Sequence, residues 1–572
     1  MRDIFIAFEG GGAKGLAHVG ALRGLRTIAN ELESQGVELN VSGVAGTSAG
    51  AIVAALFAAG YSADELIDPV RGKSLLQCPA LAHLNLQSAA ELLGKTHWKR
   101  IRNLRRCFGT LGWHAALVIL CFSTAVGVMA TEIPAAAVGV ASLAVLAIFM
   151  ASLYRASLGV ASLDEAHKAI EAVLDAKFGR RDGEDRVRFR DFGGSTGRPS
   201  LKIVATDITH HKMILFSPET TPAAAVADAV AASICLPLVF RPWHIEDRKA
   251  DFLDGALVSN LPAWPFDEER LLNPAALTLA FEIVDAPRPG TRPGLPRLLG
   301  ASLLAPLRRA WRWMFGRNPH WLIPAGRTAV FGAQLLNKRA AGDLEVLSLN
   351  IGLGLLEFDA PARKVYEQVA QVTNYAEKRL RSVLVTVPTL MRATVESARQ
   401  LVFDLITALV APAMAEGDAP LRMRVAFAIQ EDGAYRSFKL RYAAGFEADD
   451  GDRSLIVPAE GSFVGTAHAQ GCGMYFPGGR HANSYGKAAN RTELVRMREF
   501  SWQDMAWSYC LPFPRDLLPH QWRGLVVAVD SNRSLGELPT ERVDQIMRTI
   551  EITLKNLVIP SLKQLQDEAE RP

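Results

Sequence analysis

Val41 to Phe57 reads VSGVAGTSAGAIVAALF, and few folds accommodate it. A segment of strand length meets a Gly-x-Ser-x-Gly turn and then an alanine-rich helix, with Ser48 at the apex. Such a nucleophile elbow turns sharply from strand to helix. A Cβ at Gly46 or Gly50 would crowd the crossing. The turn points the Ser48 hydroxyl out of the sheet, near the positive end of the following helix. By itself the pattern also suits a plain turn in any α/β protein. Two other stretches decide between these readings.

Asp3 to Phe8 is a short apolar run, followed by Gly10-Gly11-Gly12-Ala13-Lys14-Gly15 and a helix reaching about Leu32. Gly-x-Gly-x-x-Gly after a first strand raises the dinucleotide reading, which requires an acidic residue at the end of the second strand. Here that strand ends in GTSAG. A phosphate-binding Walker loop is excluded as well, because no Ser or Thr follows Lys14. Two readings remain: a structural turn, or backbone N–H groups converging on one point to hold a tetrahedral oxyanion.

A serine hydroxyl also needs a base. His18, His210, His211 and His244 lie in no recognisable catalytic-histidine context, and His18 reads as a structural residue of the first helix. Asp254, in Asp254-Gly255-Ala256, is the better base, since the glycine lets a loop carry the carboxylate close to Ser48. The six cysteines are scattered without any C-x-x-C, which argues for reduced thiols and against a zinc site or disulfide framework. No cofactor or metal is expected. A net charge of +4 is too mild to argue for nucleic acid.

The three stretches, in this order, resemble the motifs of the patatin-like phospholipases. Ala232 to Phe240 and Asn260-Leu261-Pro262 are similar to that family too. The likeness spans residues 1–385 and implies a three-layer α/β/α hydrolase core. It implies a Ser-Asp dyad without histidine, carried by Ser48 and Asp254, and an oxyanion hole from the backbone of Gly11, Gly12 and Ala13. The implied activity is lipid acyl hydrolysis, with a membrane phospholipid or other acyl lipid as substrate. The alternative is a non-catalytic membrane signalling or scaffold protein that keeps the fold.

One segment departs from that core. Residues 107–155 contain two apolar runs, Ala115–Thr131 and Ala135–Leu153, joined by Glu132-Ile133-Pro134 and free of Lys and Arg from Cys107 to Tyr154. As helices they would measure roughly 25 and 28 Å, near the bilayer core of about 30 Å. Basic residues guard both feet: Lys99, Arg100, Arg102, Arg105 and Arg106 before, Arg155 after. This reads as an inserted transmembrane hairpin with both ends at the cytoplasmic face, or else as a buried or oligomer-packing helical pair. Pro296 to Phe315, basic and aromatic, is either an interfacial segment or a surface helix.

Residues 390–572 form a second domain in this reading. Gly461-Ser462-Phe463-Val464-Gly465 and the run Gly524 to Asp530 more weakly resemble a GAF domain, an α+β sensor or dimerisation fold. That resemblance implies a small-molecule or cyclic-nucleotide regulator, or a homodimer. On the connecting helix, Leu401, Val402, Leu405, Ile406, Leu409 and Val410 recur at helical spacing. They suit a dimer seam or an amphipathic helix capping a sheet.

Overall fold

The structure is a computed structural model. It describes residues 2–570 except 85, 87, 94–97, 100, 102–160, 181–185, 238, 274–275, 285–343, 411–419, 432–436, 448–455, 478–501, 503 and 520–521. The chain divides into two compact units, one of Met1–Glu268, Ala276–Lys338 and Leu344–Glu377, the other of Glu269–Ala275, Arg339–Asp343 and Lys378–Pro572. The expected hairpin at 107–155 and the basic aromatic segment both lie outside the described residues. Among the described residues no helix is long and apolar enough to cross a membrane.

The first unit is built on an eight-stranded sheet. Its strands are β1 (Arg2–Phe8), β2 (Leu39–Thr47), β3 (Ser200–Asp207), β4 (Lys212–Phe216), β5 (Trp243–Ile245), β6 (Ala250–Asp254), β7 (Leu277–Val284) and β8 (Leu344–Asn350). They lie in the order β8-β7-β1-β2-β3-β6-β5, with β4 paired to β3 off this path. β8, β7, β1, β2 and β3 run parallel to their neighbours, while β4, β5 and β6 are antiparallel to theirs. The central strand β1 is apolar and buried from Ile4 to Phe8 because both of its faces are covered there. Side chains alternate along a strand. Phe8 therefore meets His18 of helix α1 (Leu16–Ser34) edge-on at 5.3 Å, and Phe5 stacks on Phe266 at 4.6 Å on the opposite face. Helices α2 (Ala49–Ala58), α3 (Asp164–Phe178), α4 (Val226–Ser233) and most of α5 (Ala362–Arg381) belong to this unit. The strand β8 ends at Asn350. Gly352 and Gly354 deny a pleated ladder the side chains it packs, and the chain turns there instead.

β3 pairs with β4 through Ile203–Asp207 along one edge. Its other edge is shared: β2 occupies it from Ser200 to Val204, ending with Thr47 opposite Val204. β6 then enters from the opposite direction and occupies Ala205 to Asp207, ending with Asp254 opposite Ala205. Two strands thus stop end to end on one template edge, at adjacent registers.

The second unit is α+β. A six-stranded antiparallel sheet runs β11-β10-β9-β14-β13-β12, formed by β9 (Met423–Glu431), β10 (Ser437–Ala444), β11 (Ile456–Pro458), β12 (Met474–Pro477), β13 (Trp507–Phe513) and β14 (Trp522–Ser531). Helices α6 (Val387–Val410) and α8 (Thr540–Glu570) share a core with Phe427, Trp507 and Val527. Helix α7 (Phe463–Gln470) packs on the other face against Ala428, Cys510 and Val526. Its start is capped by Ser462, whose hydroxyl accepts the Gly465 N–H at 2.9 Å. Val402 and Ile406 of α6 are fully buried against the sheet, whereas Leu401 is 45% exposed.

Phe266 supports the strands that carry the functional loops, so its removal tests this architecture. Phe266→Ala should destabilise the first unit by about 3–5 kcal/mol and Phe266→Leu by distinctly less, as read by chemical denaturation.

Candidate active site

Ser48 sits where β2 ends and α2 begins, with φ 53° and ψ −126°. A non-glycine residue held there costs on the order of 1–3 kcal/mol, and it persists only when its surroundings over-determine it. The flanking glycines are demanded by contact. A Cβ on Gly46 would fall 2.3 Å from the Gly50 carbonyl oxygen, and one on Gly50 would fall 2.3 Å from that of Phe8.

The end-to-end strands bring the two chemical groups together. Ser48 Oγ donates to Asp254 Oδ2 at 2.7 Å, across 206 residues of sequence. The other carboxylate oxygen, Oδ1, accepts the Ala256 N–H at 2.8 Å. Asp254 is 1% exposed, and burial raises its pKa from 3.8 to about 6, partly offset by the Ala256 and Ser48 hydrogen bonds. It is a carboxylate at neutral pH, yet a far stronger base than an exposed aspartate.

Among the described residues no histidine bonds to Ser48 or Asp254. His18 is fully buried, its Nε2 lies 2.8 Å from the Glu9 carbonyl, and desolvation lowers its pKa to about 4. It is therefore neutral, with Nε2–H donating to that carbonyl. His210 pairs with Asp207 and His244 with Asp251, each at 2.8 Å. Nor does any group of three His, Cys, Asp or Glu among the described residues form a metal-binding cluster.

The glycine loop packs directly beside Ser48, since a Cβ on Gly10 would lie 3.0 Å from Ser48 Cβ. Asn260 fastens its start. The Asn260 carbonyl accepts the Gly10 N–H at 3.0 Å, and its Nδ2 donates to Glu9 Oε1 at 2.7 Å. The other oxygen of the buried Glu9 carboxylate accepts the Ile283 N–H, tying the loop to β7. Gly12 takes φ +55°, with the Leu355 carbonyl oxygen 2.3 Å from where its Cβ would be. Of the three expected oxyanion donors, the Ala13 N–H is engaged, donating to that Leu355 carbonyl at 2.9 Å. Gly11 and Gly12 have no acceptor for their N–H groups among the described residues.

Sequence reasoning quoted Asn260 without a role and missed Glu9 and Leu355. A buried acid directly before a glycine loop was the available signal for Glu9. Leu355 comes from 343 positions downstream and left none.

The family model of patatin-like phospholipases matches residues 6–117 and 121–267. The N-terminal region is a patatin-like phospholipase domain. The chain is accordingly a lipid hydrolase. It is 28% identical over 299 residues to the uncharacterized protein YqhO of Bacillus subtilis (strain 168), covering 50% of this chain and 74% of the relative. Solved structures similar to it include VipD from Legionella pneumophila, at 17% identity and TM-score 0.28, covering 72% of this chain and 76% of that one. The GAF domain/HD domain protein from Geobacter sulfurreducens matches at 9% identity and TM-score 0.18, covering 31% of this chain and 97% of that one.

The raised pKa of Asp254 is also a statement about stability. A folded-state pKa above the unfolded value means the folded chain holds that proton more tightly. The associated stabilisation is complete below pH 3.8 and is lost as pH rises through about 6. At roughly 1.4 kcal/mol per tenfold change in proton affinity, the loss is roughly 3 kcal/mol. Asp254→Asn, which carries no charge and can still accept the Ala256 N–H, should therefore be the more stable protein at pH 7.5. Denaturation at both pH values should show that advantage vanishing near pH 4.

Proposed function

We propose that Ser48 and Asp254 form a catalytic dyad in a membrane-attached lipid acyl hydrolase. The observation that carries the reading is the 2.7 Å bond from the strained Ser48 to the desolvated Asp254 carboxylate. In this mechanism Ser48 Oγ attacks the ester carbonyl of an acyl lipid while Asp254 Oδ2 takes its proton. The N–H groups of Gly11 and Gly12 receive the developing oxyanion, at the positions where preorganised donors act most strongly. Asp254 returns the proton to the departing alcohol oxygen, leaving the acyl group on Ser48. A water molecule then gives a proton to Asp254 and attacks the acyl carbonyl, and Asp254 passes that proton to Ser48 Oγ as the fatty acid departs, restoring both residues. A base with a pKa of about 6 suits this cycle, being ionised at pH 7 yet basic enough to share a proton in the transition state.

Membrane attachment and regulation belong to the same proposal. The long apolar runs in 107–155, with basic feet, support insertion of that segment in the bilayer from the cytoplasmic side. The C-terminal unit, with its resemblance to GAF domains, would be the regulatory part, through a small molecule such as a cyclic nucleotide or through a homodimer.

Ser48→Ala and Asp254→Asn should each lose at least about 10³-fold in kcat on a phospholipid or p-nitrophenyl ester, while His18→Gln keeps most of the activity. The kcat/KM of the native protein should rise with pH through about 6 to a plateau, because the base must be ionised. Native-like turnover by either dyad variant would refute the assignment.

The protein should stay with membranes through carbonate and high-salt washes. Replacing Leu117, Ile119 and Leu120 with Arg should release it, since each charge near a helix centre costs about 2.5–3.5 kcal/mol on insertion scales. Release of the native protein by salt alone would make the attachment electrostatic. Added to the full chain in vesicles, a panel of cyclic nucleotides should change turnover if the C-terminal unit senses them.

A further inference from the structure

The stretch Ala232 to Phe240, quoted above only for its likeness to the family, sits beside both reactive residues. Ser233 is the last residue of α4 and is completely buried. Its hydroxyl accepts the Ser48 N–H at 2.9 Å and donates to the Val204 carbonyl at 2.7 Å. Two residues on, the Cys235 carbonyl accepts the Asp254 N–H at 2.9 Å. Cys235 is held in turn, its thiol donating to the Arg241 carbonyl at 2.8 Å. Burial pushes that thiol's pKa up to about 12, so it stays a neutral donor.

Val204 marks the place on β3 where β2 gives way to β6. A carbonyl at such a break in the ladder needs a partner from outside the sheet, since a buried and unpaired one costs free energy. A side chain on Gly255 would fall 2.2 Å from this oxygen, so the loop after Asp254 closes over it without supplying a donor. The Ser233 hydroxyl fills that position and hands the bond on to the Ser48 N–H.

We infer that Ser233 is a positioning residue for the hydrolysis. It clamps the strained backbone of the nucleophile to the template strand while its own turn, through Cys235, holds the backbone of the base. The inference rests on the dyad reading given above. Ser233 touches neither the substrate nor the transferred proton. Its hydroxyl serves as donor and acceptor at once, so polarisation along the chain strengthens both bonds. The backbone of Ser48 departs from the favoured regions, and strain of that kind relaxes when a restraint is withdrawn. Without the clamp Oγ moves off the line to the carbonyl carbon, and misplacement of about 1 Å costs about 10²-fold in rate.

The test compares Ser233→Ala, Ser233→Thr and Ser48→Ala in the full chain, with a p-nitrophenyl ester as substrate and a fluorophosphonate that labels the nucleophilic serine. In the labelling step Ser48 Oγ bonds phosphorus, fluoride leaves, and Asp254 takes the proton. Ser233→Ala should lose about 10²-fold in kcat with KM within about twofold, and the labelling rate should fall in parallel. The pH midpoint near 6 should not move, because Asp254 keeps its burial. Ser233→Thr, which retains the hydroxyl, should recover most of both rates. A folded Ser233→Ala with native kcat and labelling rate would overturn the clamp, and so would a Ser233→Thr no better than the alanine variant. If Ser233→Ala does not accumulate folded, Ser233→Cys replaces it: a fall in labelling rate supports the clamp, and a native rate overturns it. Native turnover by Ser48→Ala would instead refute the dyad, which separates the two failures.

Discussion

Everything at the site depends on how the edge of β3 is divided. A parallel strand and an antiparallel strand cannot occupy the same registers of one edge, so β2 must stop where β6 begins. Their last residues, Thr47 and Asp254, face Val204 and Ala205. The chain leaving β2 must rise out of the sheet, which is the elbow that lifts Ser48. The carboxylate at the end of β6 is then within hydrogen-bond reach. The break that creates the site also strands backbone groups, and the hydrogen bonds of Ser233, Cys235 and Thr206 lie around it. Thr206 Oγ1 donates to the Asp254 carbonyl at 2.9 Å. Strain, closeness and burial are thus consequences of one topological fact.

Burial has opposite effects on chemistry and on stability. A dry Asp254 is a stronger base than an exposed one because water no longer supports its charge. The same loss of solvation makes the ionised folded state less stable. The protein tolerates this because both carboxylate oxygens are hydrogen-bonded and because the sheet around them is densely apolar. In the proposed dyad histidine, the usual intermediary, is unnecessary because the carboxylate itself is basic near neutral pH. The fully buried His18 has a pKa near 4 and could not have taken that part, since it is bonded to the Glu9 carbonyl and packed on Phe8.

In the second unit the helical periodicity of α6 was ambiguous for a physical reason. Apolar positions three and four apart form a stripe whether the partner is another helix or a sheet. The structure assigns Val402 and Ile406 to the core of their own unit, with Trp507 and Phe427. Leu401 remains on the surface. Of the two readings the sequence left open, the buried Val402 and Ile406 match the helix that caps a sheet, with Leu401 exposed beside them.

The elbow was legible in the sequence because its requirements are local: a segment of strand length, glycines two residues either side of Ser48, and an alanine-rich helix. Asp254-Gly255-Ala256 and the glycine loop were legible for the same reason. The three-layer α/β/α core and the α+β second domain followed from the resemblances that such motifs carry, not from periodicity. Local pattern could not reveal what arrives from far along the chain. The engagement of the Ala13 N–H by the Leu355 carbonyl joins residues 342 positions apart. The Ser233 bond to Ser48 spans 185 positions. Such contacts are made by backbone atoms or by a small hydroxyl, which carry no periodicity and little compositional signature. Only the tertiary arrangement, by dividing one strand edge between β2 and β6, determines which N–H and carbonyl groups need a partner and which side chain supplies it.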